Sequence, residues 1–250
     1  MSDAAQARPP LDPAVLADGP ARDSRFEVVE RWIECANFAA TDPHRKLEFF
    51  HRQMNEEVDS LECCARNLCD FPDEDWSLRM GMARQCADEA RHAAMFRRIF
   101  EARGGRVGEY PVINFQYRIV TRIPSLAGRL AVQNRSFEAG GLDAISFGIG
   151  DAQQEGDAGL VALFDAQYAD EIGHVRFANL WIRTLTERNP INVMRIAQAM
   201  GQASKAFSAV MGPEATAGVD YPADVAGRQE AGFTDREIQV AMSLQNKPSG

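Results

Sequence analysis

Several things are scarce in this 250-residue chain, and each scarcity excludes a class of protein. No stretch reaches the roughly 18 to 20 uninterrupted apolar residues that a membrane-spanning helix needs. The opening residues, MSDAAQARPPLDPAVLADGP, have neither a basic start nor an apolar run, so no secretory signal is expected. Basic residues are outnumbered, 27 Lys and Arg against 36 Asp and Glu. The net charge of −9 suits neither a protein that coats nucleic acid nor one that neutralises phosphates. The five cysteines (Cys35, Cys63, Cys64, Cys69, Cys86) form an odd set with no paired Cys-x-x-Cys elements, which argues against a zinc knuckle or a rubredoxin-like iron site and for reduced thiols. Glycine and proline are not enriched. The expectation is one soluble, cytoplasmic globular unit with no membrane or nucleic-acid partner, its 45% hydrophobic content sufficient for a substantial core.

What is present is mostly helical periodicity. Residues 1–22, rich in alanine and proline, are expected to be a flexible arm. Phe26, Val29, Ile33 and Phe38 recur at near-helical spacing and predict an extra N-terminal helix. Asp42-Pro43 then supplies a cap followed by proline at the first helical position, opening a long helix to about Asp70, where Phe71-Pro72 stops it. Asp73 or Asp75 caps a third helix, ending at Gly104-Gly105. The stretch GGRVGEYPVINFQYRIVTRIP alone has β-like composition and reads as a crossover with room for one short helix. Further helices are predicted over about Ser125–Gln154, Asp157–Arg188 and Pro190–Met211, and residues 212–250 read as a tail with a short helix after Thr234. Two long-helix hairpins (44–104 and 125–188) joined by one long connection are the sequence form of a four-helix bundle within a domain spanning 23–211.

The two hairpins also repeat each other. Residues 85–92 spell QCADEARH and residues 167–174 spell QYADEIGH, both Gln-x-Ala-Asp-Glu-x-x-His. Upstream, EVDSLE begins at Glu57 and EAGGLD at Glu138; Glu57 precedes Glu89 by 32 residues and Glu138 precedes Glu171 by 33. On a helix, positions i and i+3 share a face, so Glu89 with His92, and Glu171 with His174, each aim at one target. Each hairpin turn adds its upstream glutamate. Single Glu-x-x-His pairs are usually solvated helix charges, but only four histidines occur and two of them fall in matched copies. Packed face to face, the halves bring four carboxylates and two imidazoles together. Those charges balance two divalent cations, and buried without metal they would be prohibitively costly. Glu56 competes with Glu57, and the alignment of the two upstream motifs favours Glu57.

On these six positions the chain resembles the ferritin-like superfamily, specifically its di-iron carboxylate oxidoreductases, over about residues 44–188. The resemblance implies an all-α ferritin-like bundle, two iron ions (manganese being the other option) held by Glu57, Glu89, His92, Glu138, Glu171 and His174, with Glu89 and Glu171 as candidate bridges. It further implies that reduced iron reacts with O2 to oxidise a small organic substrate by hydroxylation or N-oxygenation, with electrons from an external donor. A second class is iron oxidation or peroxide removal, as in ferritins and rubrerythrins, and a third is a non-catalytic metal-stabilised interaction protein, disfavoured because all six ligands are present. A cage is disfavoured by the extra helices and tail, and a rubrerythrin by the missing Cys-x-x-Cys module. A homodimer is compatible with the first two classes.

Around the six ligands, Asp88 and Asp170 read either as helix-surface charges or as the carboxylates that orient the histidines, Asp88 with His174 and Asp170 with His92. Gln85 and Gln167 have no assigned role beyond hydrogen bonding. Cys86 and Tyr168 hold equivalent repeat positions; such residues are usually core filler, but as catalytic candidates Tyr168 can hydrogen-bond a ligand or carry electrons. Cys64 reads as a small buried hydrophobe. Gly140 and Gly141 either let helices pack closely, leave a substrate pocket, or mark a helix irregularity. The clustered arginines, Arg91 among them, read as solvated faces and interhelical ion pairs.

Overall fold

The computed structural model describes residues 11–12, 14–39, 41–212 and 221–245. The architecture is all-α. Helix α1 spans His44–Asp70 and α2 spans Trp76–Ala102. After the crossover come α3 (Phe115–Val120), α4 (Leu126–Val132), a π-helical turn over Gln133–Glu138 and α5 (Ala139–Gln154), the last three forming one continuous rod. Then follow α6 (Ala158–Arg188), α7 (Ile191–Met211), α8 (Val225–Glu230) and α9 (Asp235–Gln245). Among the described residues no helix is long and apolar enough to cross a membrane.

Local chemistry sets the boundaries. The Asp42 carboxylate accepts from the His44 N–H at 2.8 Å at the start of α1, Ser125 accepts from Gly128 N–H at 3.3 Å at the start of α4, and Asp157 accepts from Leu160 N–H at 3.1 Å at the start of α6. These supply acceptors to first-turn donors that have no intrahelical partner. Asp75 sits at the start of α2 but makes no side-chain cap; its carboxylate pairs with Arg188 on α6 instead. Gly104, at φ +89°, and Gly156, at φ +71°, turn the chain out of α2 and α5 through the left-handed region.

Three sequence expectations differ from the fold. The predicted N-terminal helix is absent: Val28–Val29 forms a short strand (β1) parallel to Val112–Ile113 of the crossover (β2), followed by a 3₁₀ turn at Trp32–Glu34. The apolar spacing there serves two separate core clusters, Val29 and Trp32 packing on one and Phe26 and Phe38 on the other, so an extended path satisfies it. The expected flexible arm lies partly outside the described residues, but its described part is docked. Leu16 is buried and Arg22 donates to Asn55 at 2.9 Å and to Glu62 at 2.9 Å. The expected tail carries two helices, α8 and α9, anchored by the buried Arg228–Asp143 pair at 2.7 Å and by Arg135–Glu237; residues 213–220 and 246–250 lie outside the described residues.

The core is layered along the four long rods. At one end Phe50, Met54, Phe96, Phe100 and Phe164 pack together; at the other, Leu78, Met82, Leu130, Ala178 and Ile182 do so. Each rod contributes apolar residues to both layers and polar residues to the zone between them. That zone, shielded at both ends, is where the site lies.

Candidate metal centre

The polar zone contains all six residues that the repeat singles out. Glu57 comes from α1, Glu89 and His92 from α2, Glu138 from the π turn, and Glu171 and His174 from α6. All six are buried, none exposing more than 7% of its surface. Ligand atoms of Glu57, Glu89, His92 and Glu171 lie within 4.8 Å of one another, and so do those of Glu89, Glu138 and His174. Glu89 belongs to both groups.

The two histidines present Nδ1 to the centre. His92 Nδ1 lies 3.2 Å from Glu89 Oε2, 3.3 Å from Glu57 and 3.6 Å from Glu171 Oε1. His174 Nδ1 lies 3.4 Å from Glu89 Oε1 and 3.4 Å from Glu171 Oε2. Glu89 and Glu171 therefore each turn one oxygen to each imidazole, the arrangement a carboxylate needs to span two ions. Glu57 serves one side and Glu138 the other.

The remaining repeat positions act across the halves. His92 Nε2 lies 3.1 Å from Asp170 and His174 Nε2 lies 3.4 Å from Asp88. Each aspartate thus holds the outer nitrogen of the opposite half's histidine and leaves Nδ1 free for the centre. Gln85 donates to Glu138 at 2.6 Å and to Glu89 at 3.0 Å, while Gln167 donates to Glu57 at 2.7 Å. Both glutamines orient the opposite half's upstream glutamate, a role the sequence pattern leaves unassigned although their matched placement marks them. Arg91 breaks the symmetry usefully: it pairs with Asp170 and lies 3.5 Å from Asp88, so one guanidinium serves both aspartates. Gly173 occupies its place in the second copy.

The π turn explains how Glu138 is held. With about five residues per hydrogen-bonded turn instead of four, Gln133 and Asn134 both face it. Asn134 donates to its Oε2 at 2.7 Å and Gln133 to its Oε1 at 3.3 Å, and Asn134 also donates to Gln85 at 2.9 Å. Sequence reasoning missed both residues, which lie upstream of the matched motifs, where the halves diverge in role: Gln133 aligns with Arg52, and Asn134 with Gln53, which donates to Glu56 instead.

Electrostatically the cluster is poised for cations. Burial pushes the Glu57 carboxyl up to about 8, reinforced by the charges of Glu89 and Glu171. Burial lifts Glu138 and Glu171 as well. Burial alone would lower His92 and His174, but the surrounding carboxylates outweigh it and hold them at about 11 and about 10. Without a cation, the group therefore keeps protons among its carboxyls and imidazoles near neutral pH. Glu171 Oε2 and His174 Nδ1 have no hydrogen-bond partner although both are buried. Four carboxylates, two neutral imidazoles and unsatisfied atoms aimed at one centre fit two divalent cations, whose binding would displace those protons.

Other candidates fall elsewhere. Glu56 turns away, accepting from Arg52 at 3.1 Å and Gln53 at 2.6 Å. Tyr168 donates its hydroxyl to Asp224 at 2.5 Å, so its polar end anchors the C-terminal segment and is spent there, not on the six ligands. Cys86 is half-buried, its thiol donating to the Leu61 carbonyl at 3.7 Å and hydrogen-bonded with Cys64, which holds Cys86 below the ordinary thiol value and Cys64 well above it. Neither sulfur belongs to the two ligand groups.

Fold and site together define an all-α protein whose helices enclose a buried glutamate–histidine group able to hold metal ions. The chain belongs to the family described as "Protein of unknown function (DUF455)", whose model matches residues 2–239. No curated protein and no solved structure matches it.

Proposed function

We propose that this protein is an O2-dependent di-iron oxidoreductase of the hydroxylase or N-oxygenase type, acting on a small organic substrate with electrons from an external donor. The observation that carries the proposal is the placement of Glu89 and Glu171, each with one oxygen toward His92 and one toward His174. A structural ion pair needs no such two-sided arrangement. The likeness of the six positions to ferritin-like di-iron oxidoreductases supports the same reading.

His92, Glu57, Glu89 and Glu171 would hold one ion, and His174, Glu138, Glu89 and Glu171 the other. When bound, two ferrous ions supply the electrons and the binding site for dioxygen. The chain does the rest. Asp170 and Asp88 fix the orientation of each imidazole by accepting the Nε2 proton in a hydrogen bond, which leaves Nδ1 as the atom turned to the centre. Gln85 and Gln167 fix the orientation of Glu138 and Glu57. The apolar layers above and below close the polar zone to water at its two ends, which strengthens the charge interactions between them.

The test is anaerobic loading with ferrous iron, metal analysis, then an oxygen pulse with candidate amines, aldehydes and aromatic compounds. Two irons per chain and oxygen uptake accelerated by an organic substrate are expected. Fewer than two irons per chain would sink the proposal. Oxygen uptake indifferent to every organic compound but proportional to added iron would favour an iron-oxidising role instead.

A further inference from the structure

A cavity of about 690 Å³ opens onto the glutamate side of the centre, its inner wall including Glu57, Glu138 and Glu171. It runs outward between α1, α3, α5 and α7. Its size falls within the range of small-molecule sites, roughly 300–1,000 Å³. The outer wall is apolar and aromatic. Phe115, Phe137 and Phe207 form a mutually contacting triad with ring centroids 5.7, 5.8 and 6.1 Å apart, flanked by Met200. On the α5 wall Gly140 and Gly141 present no side chain to the cavity, and a Cβ at either position would meet nothing within 4 Å.

The charges on the wall are already committed. Arg52, the one basic residue on it among the described residues, is held by Glu48 at 3.0 Å and Glu56 at 3.1 Å and lies 4.8 Å over the Trp32 ring. Glu56 is answered by that arginine and by Gln53. The three inner glutamates are the ones a metal pair would neutralise. An anionic guest would therefore find no free cation on the wall, and, with the metal pair in place, a cationic guest no free carboxylate. The uncommitted polar groups are neutral: the hydroxyls of Ser136 and Ser204, the Gln116 amide nitrogen, and the buried Gln167 Oε1, which has no hydrogen-bond partner.

We infer that this cavity binds an uncharged aromatic molecule, packed on the Phe115–Phe137–Phe207 triad and against the bare Gly140–Gly141 wall, with at most a neutral hydrogen-bonding substituent. As the substrate class of the centre, this rests on the oxidoreductase reading, and its rejection of cations rests on the metal pair; as an aromatic-binding site, it stands on the cavity alone. Aromatic rings favour offset or edge contacts with other rings, and sulfur–aromatic contact with Met200 adds to them.

The experiment is equilibrium dialysis of the full chain, zinc-loaded and metal-free, against 2-naphthol, 2-naphthoate and 2-naphthylmethylammonium. Binding of 2-naphthol at least about tenfold tighter than either charged analogue is expected. Ala144→Phe on α5, and Ser204→Phe on the exposed side of α7, should each weaken 2-naphthol by at least about tenfold while zinc content stays at the wild-type value. The surface position of Ser204 keeps the test valid where Ala144→Phe fails to fold. A charged analogue that binds as tightly, 2-naphthol that does not bind up to its solubility limit, or filling variants that leave its affinity unchanged would overturn the inference. Low zinc content with intact, selective binding to the metal-free chain would instead overturn the metal reading and leave the cavity assignment standing.

Discussion

Replacing Gly140 and Gly141 by alanine should stabilise this protein, because glycine there has a conformational cost that no contact requires. Both lie near the start of α5, directly after the π turn, in a continuous rod and without positive φ. Glycine in a helix interior costs about 1 kcal/mol relative to alanine, since its unfolded backbone has more freedom to lose. An added Cβ meets nothing within 4 Å at either site, so no packing penalty offsets that gain. The double variant should gain about 2 kcal/mol, which for a chain of this length raises Tm by about 4–8 °C. Gly81→Ala is the internal control: its Cβ would stand 2.2 Å from the Phe177 ring, and overpacking of that kind costs about 1–3 kcal/mol, cancelling or reversing the same propensity gain. Urea denaturation of the metal-free protein, followed by far-UV circular dichroism, measures all three. A Gly140→Ala/Gly141→Ala protein no more stable than wild type would refute the reasoning, as would a Gly81→Ala protein that gains as much. A stabilised double variant with weakened 2-naphthol binding would show the glycines kept open for the cavity at a cost in stability.

Glu57→Ala should lose one of the two metal equivalents while Glu56→Ala keeps both, as metal analysis after loading would show; the reverse result would reassign the ligand. Asp170→Asn and Asp88→Asn should each weaken one ion by about 10- to 100-fold in chelator competition, because the amide no longer draws the outer imidazole proton. Arg228→Met should cost about 3–5 kcal/mol in urea unfolding by leaving Asp143 charged and buried, and adding Asp143→Leu should recover much of the loss. Burial pushes His51 down to about 4 from its ordinary 6.5, where its Nε2 accepts from Gly108 N–H at 2.8 Å. The folded protein thus keeps His51 neutral while the unfolded chain protonates first. Its contribution to stability is full above pH 6.5 and is lost as pH falls toward 4. The urea midpoint of wild type should therefore fall more steeply across that window than that of His51→Gln.

Much of this is written in local chemistry. Asp42, Ser125 and Asp157 mark helix starts because their carboxylates and hydroxyl reach first-turn amides a few residues away. The Gln-x-Ala-Asp-Glu-x-x-His repeat, met with the Glu57 and Glu138 motifs, determines which side chains share a helix face, since that depends only on the 3.6-residue period. By the same logic the spacing of Phe26, Val29, Ile33 and Phe38 was compatible with a helix, but short periodicity cannot tell one apolar target from two. The crossover strand at Val112–Ile113, distant in sequence, decided that segment.

Tertiary structure decided everything that depends on two segments meeting. Whether Asp170 serves His92, whether Gln85 reaches Glu138, and whether Tyr168 faces the centre or Asp224 are questions of helix rotation and docking, settled by the packing of whole rods and the C-terminal segment. The sequence alone determined the donors, their number and their charge, because those are properties of residues. Their two-sided geometry, and the cavity beside them, arise only when two apolar layers close over the polar zone and hold its distances.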